Sequence, residues 1–239
     1  MKRVMNMFLR PFAALTLAAV LFSACKKISP DYQPTPAAGL MTFNLATDKS
    51  AVGFTLSGNV FGNIPLGYSS YTGAYLPIFL GTREVRSFDY TTGSTLALTT
   101  TSFADSSYYS AFLLGANGNY RNVVVKDDLN SLAYTAGKTW VRYINAIADS
   151  SSAPTVTISS GSEAAVSESA AYGKVSGFVQ VNAGTVNVSV SNGGNITANR
   201  AITLEENKIY TVLFEGLPNQ TDSSKAVQVK FIQNGTITP

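Results

Sequence analysis

From residue 41 onward the apolar positions come in short runs of Val, Ile, Leu, Thr, Tyr and Phe, separated by clusters of Gly, Asn, Ser and Asp. No apolar spacing of three and four residues persists beyond two helical turns, so the pattern is one of strands and turns. In the first half it predicts strands at Met41–Leu45, Val52–Leu56, Tyr75–Leu80, Glu84–Tyr90, Thr95–Thr99, Tyr108–Leu114 and Tyr120–Val125. In the second half it predicts Thr139–Asn145, Thr155–Ile158, Phe178–Val181, Thr185–Val190, Ala201–Leu204, Ile209–Glu215 and Val227–Ile232. Seven short strands per half, with turns such as Asn117-Gly118-Asn119 and Asn192-Gly193-Gly194-Asn195, fit a sandwich of about 90 to 100 residues.

The two halves resemble each other. Asn44 and Asp48 recur as Asn145 and Asp149 at an offset of 101 residues, and Tyr109-Ser-Ala-Phe-Leu-Leu-Gly115 recurs at the same offset as Tyr210-Thr-Val-Leu-Phe-Glu-Gly216. Tyr75–Thr82 aligns with Phe178–Thr185 after a two-residue slip. The expected architecture is therefore all-β: two tandem sandwiches of immunoglobulin-like or transthyretin-like form, at 40–133 and 138–239, joined by a linker near Tyr134–Lys138.

The first 24 residues have a different character. Lys2, Arg3 and Arg10 precede an uncharged apolar run from Phe12 to Phe22 that ends in Ser23-Ala24-Cys25, the pattern of an export signal. The run is too short for a hydrocarbon core that needs about 20 apolar residues. Leu21-Phe-Ser-Ala-Cys25 resembles the lipobox of bacterial lipoproteins, and that resemblance implies cleavage before Cys25 and its acylation; several acyl chains on one residue give stable anchoring. Residues 25–39 then read as a tether, because Pro30, Pro34 and Pro36 disfavour helix and strand alike.

Composition narrows the function. The 239 residues include no histidine and a single cysteine, which excludes imidazole-based catalysis, His or thiolate metal sites and intrachain disulfides. Removing Met1–Ala24 takes away three of 17 basic residues and none of the 14 acidic ones, leaving a formal charge of zero. No basic stripe survives for nucleic acid. The setting expected is the outer membrane, with the periplasmic face favoured over the cell surface because no acidic cluster follows Cys25.

Val141-Arg-Tyr-Ile-Asn-Ala146, Asp149, Ala153–Ile158, Ala171–Phe178, Ala183-Gly-Thr185 and Tyr210-Thr-Val212 together resemble the 4397 family of domains of unknown function. The resemblance runs along most of the second half and is weaker in the first. It implies small β-sandwich modules, often in tandem, in secreted and lipid-anchored envelope proteins. It implies no catalytic or binding residue.

Polar features that could carry chemistry have simpler alternatives beside them. The Asn-x-x-x-Asp pair of each half suits a turn in which Asx accepts from the backbone two residues on, against a calcium site to which Asp127-Asp128 would add. Asp105 and Glu205-Glu206 suit solvated hairpin ends, against the paired carboxylates of a glycoside hydrolase. The expectation is a non-catalytic binding or structural module without cofactor or metal, the alternatives being a glycan-binding accessory protein or a carboxylate-only hydrolase. Its partners are the membrane through the anchor and an envelope protein or polysaccharide. Transferring the alternation of Phe178–Ala183 to the first half puts Leu76, Ile78 and Leu80 inside and Tyr75, Pro77 and Phe79 outside. Phe79 with Phe88, Tyr90 and Arg86 is then the candidate binding patch, unless these aromatics pack against the second sandwich or the tether.

Overall fold

The computed structural model of the protein describes residues 35–149 and 153–238. The export signal, the acylation of Cys25 and the tether up to Pro34 lie outside the described residues. The first strand begins at Ala38, so Ala38 and Gly39 belong to the sandwich rather than to the tether in which the sequence pattern leaves them.

The first sandwich has an inner and an outer sheet. In the inner sheet, β1 (Ala38–Ala46) pairs in parallel with β8 (Tyr108–Ala116), which pairs with β9 (Asn119–Asp127). Two short strands, β4 (Ser70–Tyr71) and β5 (Leu76–Ile78), pair with the other side of β1. The outer sheet runs β3 (Asn59–Leu66), β2 (Val52–Leu56), β6 (Gly81–Asp89) and β7 (Thr95–Phe103).

The second sandwich has the same strand order. After a 3₁₀ turn at Leu129–Ser131, its inner sheet runs β13 (Val179–Asn182), β10 (Lys138–Ile147), β16 (Lys208–Gly216) and β17 (Gln228–Thr236), again with a parallel β10–β16 pair. Its outer sheet runs β12 (Glu163–Ser169), β11 (Thr155–Ser160), β14 (Gly184–Ser191) and β15 (Thr197–Leu204).

The same local devices hold both sandwiches. Asn44 and Asn145 are wholly buried; each Oδ1 accepts from the backbone N–H two residues on, at 3.1 Å, and each Nδ2 donates to a carbonyl at the end of the outer edge strand, Leu66 O in the first sandwich and Ala170 O in the second. This is the Asx geometry that the spacing predicts. The Tyr109 hydroxyl accepts from Ala104 N–H and the Tyr210 hydroxyl from Glu205 N–H, tying each last hairpin to its neighbour. Gly115 and Gly216 have φ of +133° and +110°, and a Cβ on either would lie about 2 Å from a backbone carbonyl oxygen, so glycine is required at both.

Three strands escape the sequence pattern: β3, β12 and the two-residue β4 beside β1. β3 and β12 are edges of outer sheets, where one side of the backbone is unpaired and the alternation relaxes: β3 carries Gly62 and Pro65, and only Val166 of β12 is buried.

The larger departure concerns the inner sheets. The sequence reading sets the sandwiches in series, each strand with one core face. Instead the inner sheets pack on each other, and β1, β8, β10 and β16 are buried at nearly every position. Leu40, Ala111 and Leu113 face the first core, while Met41, Phe43, Leu45, Phe112 and Leu114 meet Ile144, Ala146, Leu213 and Ile232 of the second sandwich. Residues 36–239 form one compact unit.

Candidate functional site

On the outer sheet of the first sandwich, Val52, Phe54, Leu56, Val85 and Ala97 turn inward, so the alternate positions lie on the outer face, where Gly53 and Thr55 of the central strand are themselves buried. The ladder register brings Val60, Thr55, Arg86 and Leu98 into one cross-strand row on that outer face. Val60 is 67% exposed and Leu98 56%. One step along, the Phe88 ring lies over Gly53, where a Cβ would come within 2.3 Å of it. Tyr90 stacks on Phe88 at 6.0 Å between centroids, and the Arg86 guanidinium sits 5.0 Å from the Phe88 centroid. Arg86 is also fixed by hydrogen bonds to Thr95 Oγ1 and Gly93 O. Glycine at position 53 thus lets a large ring lie flat on the sheet, where Tyr90 and Arg86 frame it.

Phe79 is exposed, as the alternation predicts, but it does not join this cluster. It precedes β6, and Phe88 stands roughly 23 Å along that strand from Gly81. Phe79 instead lies beside Arg83, which donates from Nε to its carbonyl and rests 5.9 Å from its ring centroid. With Val60, Phe61, Pro77 and Ile78 they line a groove of about 190 Å³. Ile78 is buried, and Leu76 and Leu80 are half-buried. Tyr75, placed outward by the alternation, turns toward the second sandwich and is covered by it.

The corresponding face of the second sandwich is polar. Its cross-strand row is Ser167, Thr157, Ser189 and Asn199, and its neighbour is Ser159, Asn187 and Ala201. Among the described residues, the exposed large hydrophobics Val60, Ile64, Phe79, Tyr90 and Leu98 belong to the first sandwich, and the remaining one, Tyr134, lies in the linker, where its hydroxyl reaches Glu206.

Between the inner sheets lies a buried polar network that the sequence pattern does not reveal. Arg142, 2% exposed, donates to Asp127 Oδ1 at 2.5 Å, to Ser110 Oγ at 2.9 Å and to Thr211 Oγ1 at 3.0 Å. Its guanidinium also lies 4.5 Å from the centroid of Phe178. Asp127 Oδ2 accepts from Ser110 and from the Tyr75 hydroxyl, and Asn234 donates to that same hydroxyl. Burial and the Asp127 charge push the Tyr75 phenol well above its ordinary value, so it remains a donor. A second crossing joins Glu215 Oε1 to Ser69 at 2.6 Å and to Lys230 at 3.3 Å. Burial raises the Glu215 carboxyl, and its Oε2 has no hydrogen-bond partner.

These carboxylates fix the seam. The Val123-Val-Val-Lys-Asp127 run reads as a strand with a polar end, whereas Asp127 is buried as the counterion of Arg142. Asp105 and Glu206 accept from the backbone amides of Ala37 and Gly137, one in each sandwich, and so hold loop ends. Asp48 accepts from Asn117 N–H and the Tyr120 hydroxyl. Among the described residues no group of three or more His, Cys, Asp or Glu could hold a metal ion.

Fold and surfaces together define an all-β protein of two sandwiches fused through their inner sheets, with one apolar outer face. Residues 139–234 match the model of a family described as a domain of unknown function, DUF4397. The match spans the second sandwich from β10 to β17, and the second sandwich is similar to that family. No curated protein matches the chain.

Proposed function

We propose that this chain is a non-catalytic, lipid-anchored protein of the outer membrane, facing the periplasm, whose first sandwich docks a protein of the envelope through its outer sheet. The two sandwiches are read as a tandem pair of one module, fused into a rigid body. The observation that carries the docking role is the inequality of the two outer sheets: the same strand order presents Arg86, Phe88, Tyr90 and Leu98 in one and Ser, Thr and Asn in the other. Aromatic residues and arginine framing an apolar patch are typical of protein interfaces. Support for a non-catalytic role comes from the absence of histidine and from the carboxylates already engaged in turns and in the seam.

Cross-linking in the native envelope tests this. Wild-type protein is expected to yield a cross-linked protein adduct that the Tyr90→Ser/Leu98→Ser variant loses while keeping its melting temperature. An adduct unchanged in the variant would sink the docking face, and retention on envelope polysaccharide alone would replace the protein partner with a glycan.

A further inference from the structure

The groove beside Phe79 differs from the rest of the apolar surface in its position. The chain enters the sandwich next to it: Ala38 pairs with Ile78, Ala37 N–H donates to Asp105 and Ala37 O accepts from Ser106, so β1 begins at the end of the sandwich where β5 leads into Phe79. Residue 38 is only 13 residues from Cys25. At no more than about 3.5 Å per residue, an anchor at Cys25 keeps this end of the body within about 45 Å of the bilayer.

The same end holds two strongly exposed apolar side chains. Phe79 is 70% exposed and Val60 67%, and they flank a groove whose other walls are the apolar Leu56, Phe61, Pro77 and Ile78 and the polar Asn59. The only charged residue lining it is Arg83. Arg83 holds the carbonyls of Phe79 and Leu80 at 2.9 and 3.2 Å, which fixes this turn while keeping a cation at the rim. Hairpin tips at the opposite end of the same sandwich, Thr91-Thr92-Gly93 and Asn117-Gly118, are polar and exposed. An apolar pair with a cation beside it is what the boundary between headgroups and acyl chains accepts.

We propose that Phe79, Val60 and Arg83 form a membrane-contact site. The end of the first sandwich from which the tether leaves rests on the bilayer that holds Cys25; Phe79 and Val60 enter the headgroup–acyl boundary, and Arg83 pairs with lipid phosphate. This orients the body with its strands directed away from the membrane. It leaves Tyr90, at the far end of β6, farther from the surface than the row of Val60 and Arg86. The proposal rests on the lipid-anchor reading of Cys25.

The test uses the full-length protein processed in its host and reconstituted in vesicles of phosphatidylethanolamine and phosphatidylglycerol. Because acylation occupies the one native cysteine, Val60→Cys and Thr91→Cys, the latter at the exposed hairpin tip of the opposite end, each supply a single free thiol for an environment-sensitive fluorophore. The label at position 60 is expected to shift its emission by about 10–20 nm to the blue and to be quenched by lipids carrying a shallow nitroxide. The label at position 91 should match water. Adding Phe79→Ser should reverse most of the shift at 60. Identical water-like emission at 60 and 91 would overturn the membrane contact. Intact mass of the same sample tests the anchor separately: an unmodified Cys25 would sink the reading beneath the proposal, whereas an acylated protein with a water-like label would sink only the contact.

Discussion

The two sandwiches agree in the devices that hold each of them together and differ in the faces they present. Asn44 and Asn145, Tyr109 and Tyr210, and Gly115 and Gly216 make the same contacts in each. The inner faces differ. In the parallel ladders Met41 stands opposite Ser110 and Arg142 opposite Thr211; Leu45 stands opposite Leu114 and Ala146 opposite Glu215. Asp127 and Asn234 both lie two residues beyond the partner of that Ser or Thr. The second sandwich thus brings a cation to the seam and the first supplies the anion. Buried charges of this kind fix which faces meet and in what register, because any slip leaves both ions unpaired in an apolar seam. The outer faces diverge in the opposite sense, apolar in the first sandwich and hydroxyl-rich in the second.

The strongest way to break the comparison is to give the second sandwich the residue of the first. Arg142→Met leaves Asp127 buried without its counterion, and a loss of about 3–5 kcal/mol in unfolding free energy is expected. Changing Asp127 as well, to the Asn found at the matching place in β17, should recover most of it. Denaturant unfolding of the single and double variants checks this; an Arg142→Met protein as stable as wild type would show that the ion pair does not hold the seam.

The shared devices should give matching effects. Asn44→Ala and Asn145→Ala each orphan a buried amide and at least one buried carbonyl, at an expected cost of about 2–3 kcal/mol apiece. Because the sandwiches share one apolar seam, each variant should still unfold in a single transition. Two separate transitions by calorimetry would mean that the sandwiches are thermodynamically independent.

Glu215 provides the finest test. Its carboxyl is raised in the folded state by burial, so its contribution to stability is fully present below the ordinary glutamate range and is lost as pH rises through the raised value. Glu215→Gln is therefore expected to be more stable than wild type at pH 8, by about 1 kcal/mol or 2–4 °C in a body of this size, and to match it near pH 4. The difference between the two melting curves across that range measures it directly. A variant less stable at pH 8 would show that the Lys230 and Ser69 contacts outweigh the burial.

Local rules reach some of these features and not others. Asn44 and Asn145 are legible because an Asx side chain satisfies backbone groups two residues away, a geometry set by neighbours in the chain. The exposure of Phe79 follows from strand alternation alone. The edge strands β3 and β12 are missed because an edge loses the burial that imposes alternation. Phe88 and Tyr90 are separated from Phe79 by the length of β6, which spacing in the sequence does not convert into distance until the strand's direction is known.

By itself the sequence determined an all-β chain of two similar halves, most of its strands, and the absence of imidazole and disulfide chemistry, because period-2 alternation, turn residues and composition are properties of short segments. Only the tertiary structure decided that the two inner sheets meet. Ser110–Gly115 is apolar at every position but its first, and a strand of that kind fits a single core or a second covered face equally well. The pairing of Arg142 with Asp127, Ser110 and Thr211 depends on four strands from two sandwiches converging at one point, and no local spacing encodes such a convergence.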